Sequence, residues 1–381
     1  MKKLFAILVV FVLVAGAAFA QVTALVETRL WVLNGADMDN MTTGGSIGAA
    51  YLQFNGANEA GTLGGTFRFR NTDQGSTSGG SGVRFHRVFT WWRPIPQVRV
   101  FLGIDNDGLF DTAGLAGWAF HAGDNDYMFN HHWDFWRQVF PGNWDGFGLA
   151  ISVYPMQGLQ LNLVVPTGNL GWYQGTNSQV TRNVPIEDMY PWGLRFMGSY
   201  LIPDIGTVHF VWNFQDKEAL AGEHFADTEH YGRFGLNLHL TALNAMGIQA
   251  IVGGSVVLPK YSDTDPDIHA GFGVQYSAEG WAVKARMAVR LPGGDADAFI
   301  SGNVMPVFDI PGGQAMIDIG LTTQGSDMGW FLTPIYRMPI PGGAFSIGLH
   351  IYSNINMGGN IGLSGNEDVS FRIPMFLRFQ F

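Results

Sequence analysis

The sequence predicts an all-β protein, a transmembrane antiparallel β-barrel of 16–18 strands with one long loop that can fold inward. Three observations carry this. Apolar and polar residues alternate with a period of two over many segments of about ten residues, the length of a tilted membrane-spanning strand. The chain is 47% hydrophobic and only 14% charged, against about 25% in soluble domains, yet beyond its N-terminus it has no run of about 18 apolar residues. Its connections alternate between short Pro- or Gly-marked turns and longer polar segments, as a barrel needs when all its tight turns lie on one side of the membrane.

Residues 1–20 have the parts of a secretory signal: Lys2 and Lys3, an apolar core from Leu4 to Ala15, and the cleavage pattern Ala18-Phe19-Ala20. Cleavage after Ala20 leaves a mature barrel of residues 21–381. Alternation then marks eighteen strands, at 22–33, 46–55, 62–71, 83–93, 97–105, 146–155, 159–166, 192–202, 206–215, 231–240, 247–258, 268–277, 280–290, 297–305, 313–323, 327–338, 343–353 and 367–381. Val208, Phe210, Trp212 and Phe214 against His209 and Asn213 show the pattern well, as do Val283, Ala285, Met287 and Val289 against Lys284, Arg286 and Arg290. The segments at 46–55 and 297–305 are the least regular, which keeps sixteen strands open. Short turns are expected at Pro94-Ile-Pro96, Pro155–Gly158, Pro203–Gly206, Ala278–Gly280, Pro306–Gly313 and Pro339–Gly343. Two features fit badly. Arg87 shares a face with Phe85, Phe89 and Trp91, and Pro334 and Pro374 fall inside strands.

The last strand ends at Phe381, with Phe371, Ile373, Met375, Leu377 and Phe379 on its face and Arg372, Arg378 and Gln380 on the other. This ending resembles the C-terminal insertion signal of bacterial outer-membrane β-barrels. The resemblance implies an outer-membrane location, lipid around the barrel, and recognition of the Phe381 strand by the barrel-assembly machinery. With apolar faces outward, the pore-lining candidates are Arg68, Arg70, Arg99, Arg233, Lys284, Arg286, Arg290, Arg372 and Arg378, with few acids among them. Either these charges simply face water, or they form a basic wall that selects anionic solutes.

Between the fifth and sixth strands, residues 106–145 hold Asp111, Asp124, Asp126 and Asp134 among aromatic residues. The position resembles that of the pore-narrowing third loop of general bacterial porins, although no porin signature motif is present. The resemblance implies a porin-like channel for passive diffusion of small hydrophilic solutes, and a homo-oligomer. A loop packed on itself outside the barrel is the alternative. Other functions open at this point are a surface adhesin or structural barrel, and a substrate-specific uptake channel with a track of Tyr154, Tyr352 and Phe331.

Little else carries chemistry. Gly44-Gly45-Ser46-Ile47-Gly48 spells a nucleophile-elbow pattern, but Ala50, Leu52 and Phe54 continue as a strand where a helix is required, so no enzyme is expected. Zero Cys removes thiol catalysis and thiolate metal ligation, and His131-His132 lacks helical spacing, so no metal site is expected. A weak Ca²⁺ possibility attaches to Asp263, Asp265 and Asp267. Net charge is −10, and more negative without Lys2 and Lys3, which argues against nucleic acid as a partner.

Overall fold

The computed structural model describes residues 21–35, 42–71, 83–105, 146–166, 194–214, 230–259, 265–355, 363–365 and 367–380. Nineteen strands form one sheet: β1 Gln21–Gly35, β2 Thr42–Ala57, β3 Leu63–Asn71, β4 Val83–Ile95, β5 Val98–Asp105, β6 Gly146–Met156, β7 Leu159–Pro166, β8 Arg195–Ile202, β9 Gly206–Phe214 and β10 His230–Leu240, followed by β11 Ile248–Pro259, β12 Asp267–Ala278, β13 Trp281–Leu291, β14 Phe299–Ile310, β15 Gly313–Gln324, β16 Asp327–Ile340, β17 Gly343–Gly348, β18 His350–Ser353 and β19 Ser370–Gln380. Sequence neighbours pair antiparallel, and β19 returns to β1. The sheet is therefore a closed barrel without a free edge. β17 and β18 both lie between β16 and β19 as two segments of one strand, so the nineteen strands fill eighteen positions. This decides between sixteen and eighteen.

The break between β17 and β18 comes from the two prolines. Continuing the registers on either side of the break places Leu349 opposite Pro334 and Gly348 opposite Pro374. Leu349 N–H still donates to Pro334 O at 3.0 Å, but proline has no N–H to return the bond. A bulge in β1 between Trp31 and Leu33 takes up the irregularity on the far side of Pro374. Arg87 is reconciled by a second bulge. Arg87 pairs with Arg68 but Phe85 pairs with Phe69, so the extra residue at His86 reverses the parity of β4.

The turn expected at Pro306–Gly313 is smaller than that. β14 runs through Pro306 to Ile310, and only Pro311-Gly312 turns, with Gly312 at φ 85°. Pro341-Gly342 makes the equivalent turn with Gly342 at φ 74°; proline presets the first turn position and glycine supplies the left-handed second. One end of the barrel carries only compact connections, the longest being 241–247 around a 3₁₀ turn at Asn244–Met246. The other end carries the longest ones, at 72–82, 106–145, 167–194, 215–229 and 354–369, although Gly325-Ser326 there spans only two residues.

Side-chain burial is inverted relative to a soluble sandwich. On β15 the buried face is Met316, Asp318, Gly320 and Thr322, and the exposed face is Ile317, Ile319 and Leu321. Asp318 is 6% exposed and its neighbour Ile319 is 51% exposed. β14 repeats this with Ser301 and Asn303 buried and Ile300 and Val304 exposed. Curvature crowds the inner side chains together and splays the outer ones, and it is the outer ones that are apolar. Water would oppose such a surface at about 25 cal/mol per Å² of exposed apolar area, whereas lipid does not. Exposed Trp92, Tyr200, Tyr276, Trp281 and Phe308 lie near the short-turn rim, where amphipathic rings suit a membrane interface.

The inner face is not uniformly polar. Phe101, Ala150, Val164, Met197 and Val211 form one buried apolar cluster on β5–β9. Met305, Val307, Met316, Ile335 and Phe376 form another on β14–β16 and β19.

Candidate functional site in the barrel interior

Three inner-wall regions hold the candidate chemistry. The first is on β2–β6. Arg68 stacks on Tyr51 with its guanidinium carbon 4.1 Å from the ring centre, and its Nε donates to Gln53 Oε1 at 2.6 Å. Arg99 lies over Trp91 at 4.3 Å and over Phe101 at 4.6 Å. Arg87 lies 5.6 Å from Phe89, and Arg93 lies 6.0 Å from Tyr154. Arginines and aromatics therefore share one face, each ring offering its negative π-cloud to a cation. Sequence reasoning named Arg68 and Arg99 here but missed Arg87, Phe89, Trp91 and Phe101. The signal was present: Arg87, Phe89, Trp91 and Arg93 have one parity, as do Arg99 and Phe101. Treating every aromatic as lipid-facing hid it.

The second region is on β13–β16. Lys284 lies close enough to Arg286, Arg337 and Asp318 to interact electrostatically with each of them. Asn303 Nδ2 donates to Asp318 Oδ1 at 2.7 Å. Basic charge thus exceeds acidic charge here, with one carboxylate fixed among the cations.

The third lies on β16–β19. His350 stacks on Tyr352 at 4.8 Å between centroids and lies 5.8 Å from Phe331. Its Nδ1 is 2.6 Å from Thr333 Oγ1, a hydrogen bond. Arg372 pairs with His350 across the β18–β19 ladder, and Arg378 pairs with Glu27 and Ala344. Of the expected aromatic track, Phe331 and Tyr352 come together here, while Tyr154 belongs to the first region.

Arg290 is engaged by a carboxylate. Its Nη2 donates to Asp267 Oδ2 at 2.7 Å and its Nε to the same oxygen at 3.2 Å, while Gly293 N–H donates to Asp267 Oδ1 at 2.6 Å. Asp267 therefore clasps the β13–β14 connection, and its carboxylate is already engaged where Ca²⁺ was considered. Asp263 lies outside the described residues, as do Asp111, Asp124, Asp126, Asp134, Phe381 and residues 1–20. The side chains of Arg70 and Arg233 are likewise outside them; their backbones pair with Tyr51 and Arg84, and with Asn213 and Val257. Ser46 pairs with Arg29 inside β2, so no nucleophile elbow forms.

No protein-family model matches the chain, and no curated protein sequence does either. Solved structures do. OccAB1 of Acinetobacter baumannii is similar at TM-score 0.58 and 8% identity, over 95% of this chain and 96% of that one. A BenF-like porin from Pseudomonas fluorescens Pf-5 gives 0.57 and 10%, over 95% and 98%. An anion-selective porin from Comamonas acidovorans gives 0.53 and 12%, over 95% and 99%. The chain has the fold of bacterial outer-membrane porins.

Proposed function

We propose that the protein is an outer-membrane porin-like channel for passive diffusion of small hydrophilic solutes, with a preference for anions. The carrying observation is the inner wall of β2–β6, where Arg68, Arg87, Arg93 and Arg99 are held on aromatic faces. Cations fixed on a low-dielectric wall focus a field into the interior and raise the local anion concentration. An eighteen-stranded barrel is too wide for side chains alone to fill, so its centre is aqueous unless a segment narrows it.

Segment 106–145 joins β5 to β6 beside the buried cluster of Phe101, Ala150, Val164 and Met197. An apolar patch facing water inside a barrel is costly, and a segment joined directly to β5 and β6 is placed in the chain to cover it. Export by the residue 1–20 signal and assembly through the Phe381 strand belong to the same reading. Planar-bilayer recording of the mature protein tests it. Discrete channels with anion-selective reversal potentials are expected; failure to conduct would remove the channel reading.

A substrate-specific uptake channel is the second reading, favoured by the adjoining rings of Phe331, His350 and Tyr352. Solute flux that saturates with concentration would support it over free diffusion.

A further inference from the structure

His209 on β9 and His239 on β10 are far apart in sequence, and no ligand spacing links them. The β9–β10 ladder brings them together. His209 faces Asn237, and His239 is the next residue on the same face, opposite Thr207. Diagonal neighbours of this kind lie ~7–8 Å apart at the backbone, within reach of long side chains.

His209 is 4% exposed, and its Nδ1 has no hydrogen-bond partner among the described residues. In the tautomer that carries its proton on Nε2, Nδ1 offers a lone pair that no described group occupies. Asn237 does not intrude. Its Oδ1 lies over Gly253 of β11, where any Cβ would collide with it, so the amide leans away from β9. The other register neighbours among the described residues are Ser199, opposite His209, and Ile251, opposite His239, neither of them charged.

Two imidazoles, one with an unpartnered buried nitrogen, form a nitrogen donor set suited to Zn²⁺, Cu²⁺ or Ni²⁺. We propose that His209 and His239 are a divalent transition-metal site on the inner wall, with water completing the coordination. A dication held there adds positive charge near the short-turn end and occupies part of the interior.

Electron paramagnetic resonance of Cu²⁺ added to the purified barrel in detergent reads the site without any need for conduction. Coupling to two imidazole nitrogens is expected in the native protein. His209→Ala and His239→Ala should each weaken that binding by about tenfold or more, the scale on which a metal site responds to losing support. Heat-modifiable migration on gels confirms that each variant retains its barrel. Unchanged Cu²⁺ binding in both variants, or coupling to one nitrogen only, would overturn the site while leaving the channel proposal intact.

Discussion

Arg99 shows how much one side chain depends on its surroundings. Its planar guanidinium covers Trp91 and Phe101, an arrangement that a lysine cannot reproduce. Arg99→Ala combined with Arg87→Ala is expected to reduce the anion-to-cation permeability ratio about twofold or more, by weakening the focused wall field. Arg99→Lys should fall between this variant and the native protein. Reversal potential under a salt gradient is the measurement. Arg290→Ala combined with Asp267→Ala should leave that ratio nearly unchanged, because the pair carries no net charge and removing both partners removes none. Its effect belongs elsewhere: removing the clasp frees the 292–298 connection, which limited proteolysis should then cleave faster. Thermal stability should hardly move, since a partly exposed ion pair contributes about 0–1 kcal/mol.

At the level of strands, local chemistry explains each irregularity. Pro334 cannot return the hydrogen bond that Leu349 gives it, and the strand divides there. Pro334→Ala supplies the missing donor, with an expected gain of about 0.5–1.5 kcal/mol. Slower amide exchange around Leu349 and a higher urea midpoint would show it; no change in exchange would mean that Pro374 alone causes the break. Gly320 makes the opposite case. The ring of Phe331 on β16 lies where a Cβ on Gly320 would stand. Gly320→Val should therefore displace Phe331 from His350 and destabilise by about 1–3 kcal/mol, the usual penalty for overpacking.

The molecule as a whole turns its apolar side chains outward, an arrangement suited to lipid rather than to water. Ile319 is half exposed on the outer face while Asp318 is buried on the inner one. Ile319→Arg should cost about 2–4 kcal/mol if this position lies near the bilayer midplane, because the charge enters hydrocarbon. Refolding yield into phospholipid vesicles reads this. A variant that refolds as well as the native protein would contradict a lipid-facing β15. Deleting 106–145 should enlarge single-channel conductance, provided that this segment narrows the interior as proposed.

The period-two pattern, the apolar composition and the turn residues determined by themselves that this chain is an antiparallel barrel, and nearly where each strand lies. Those signals are local: strand parity and turn chemistry act within a few residues, and a sequence displays them directly. Tertiary structure decided what depends on pairing. Whether Arg87 joins Arg68 rests on a bulge at His86. That Phe89, Trp91 and Phe101 turn inward as seats for guanidinium groups, and that Arg290 is given to Asp267, depend on which residues stand opposite one another. The meeting of His209 with His239 has the same origin. Register joins residues across long stretches of chain, so these juxtapositions exist only once the cylinder has closed.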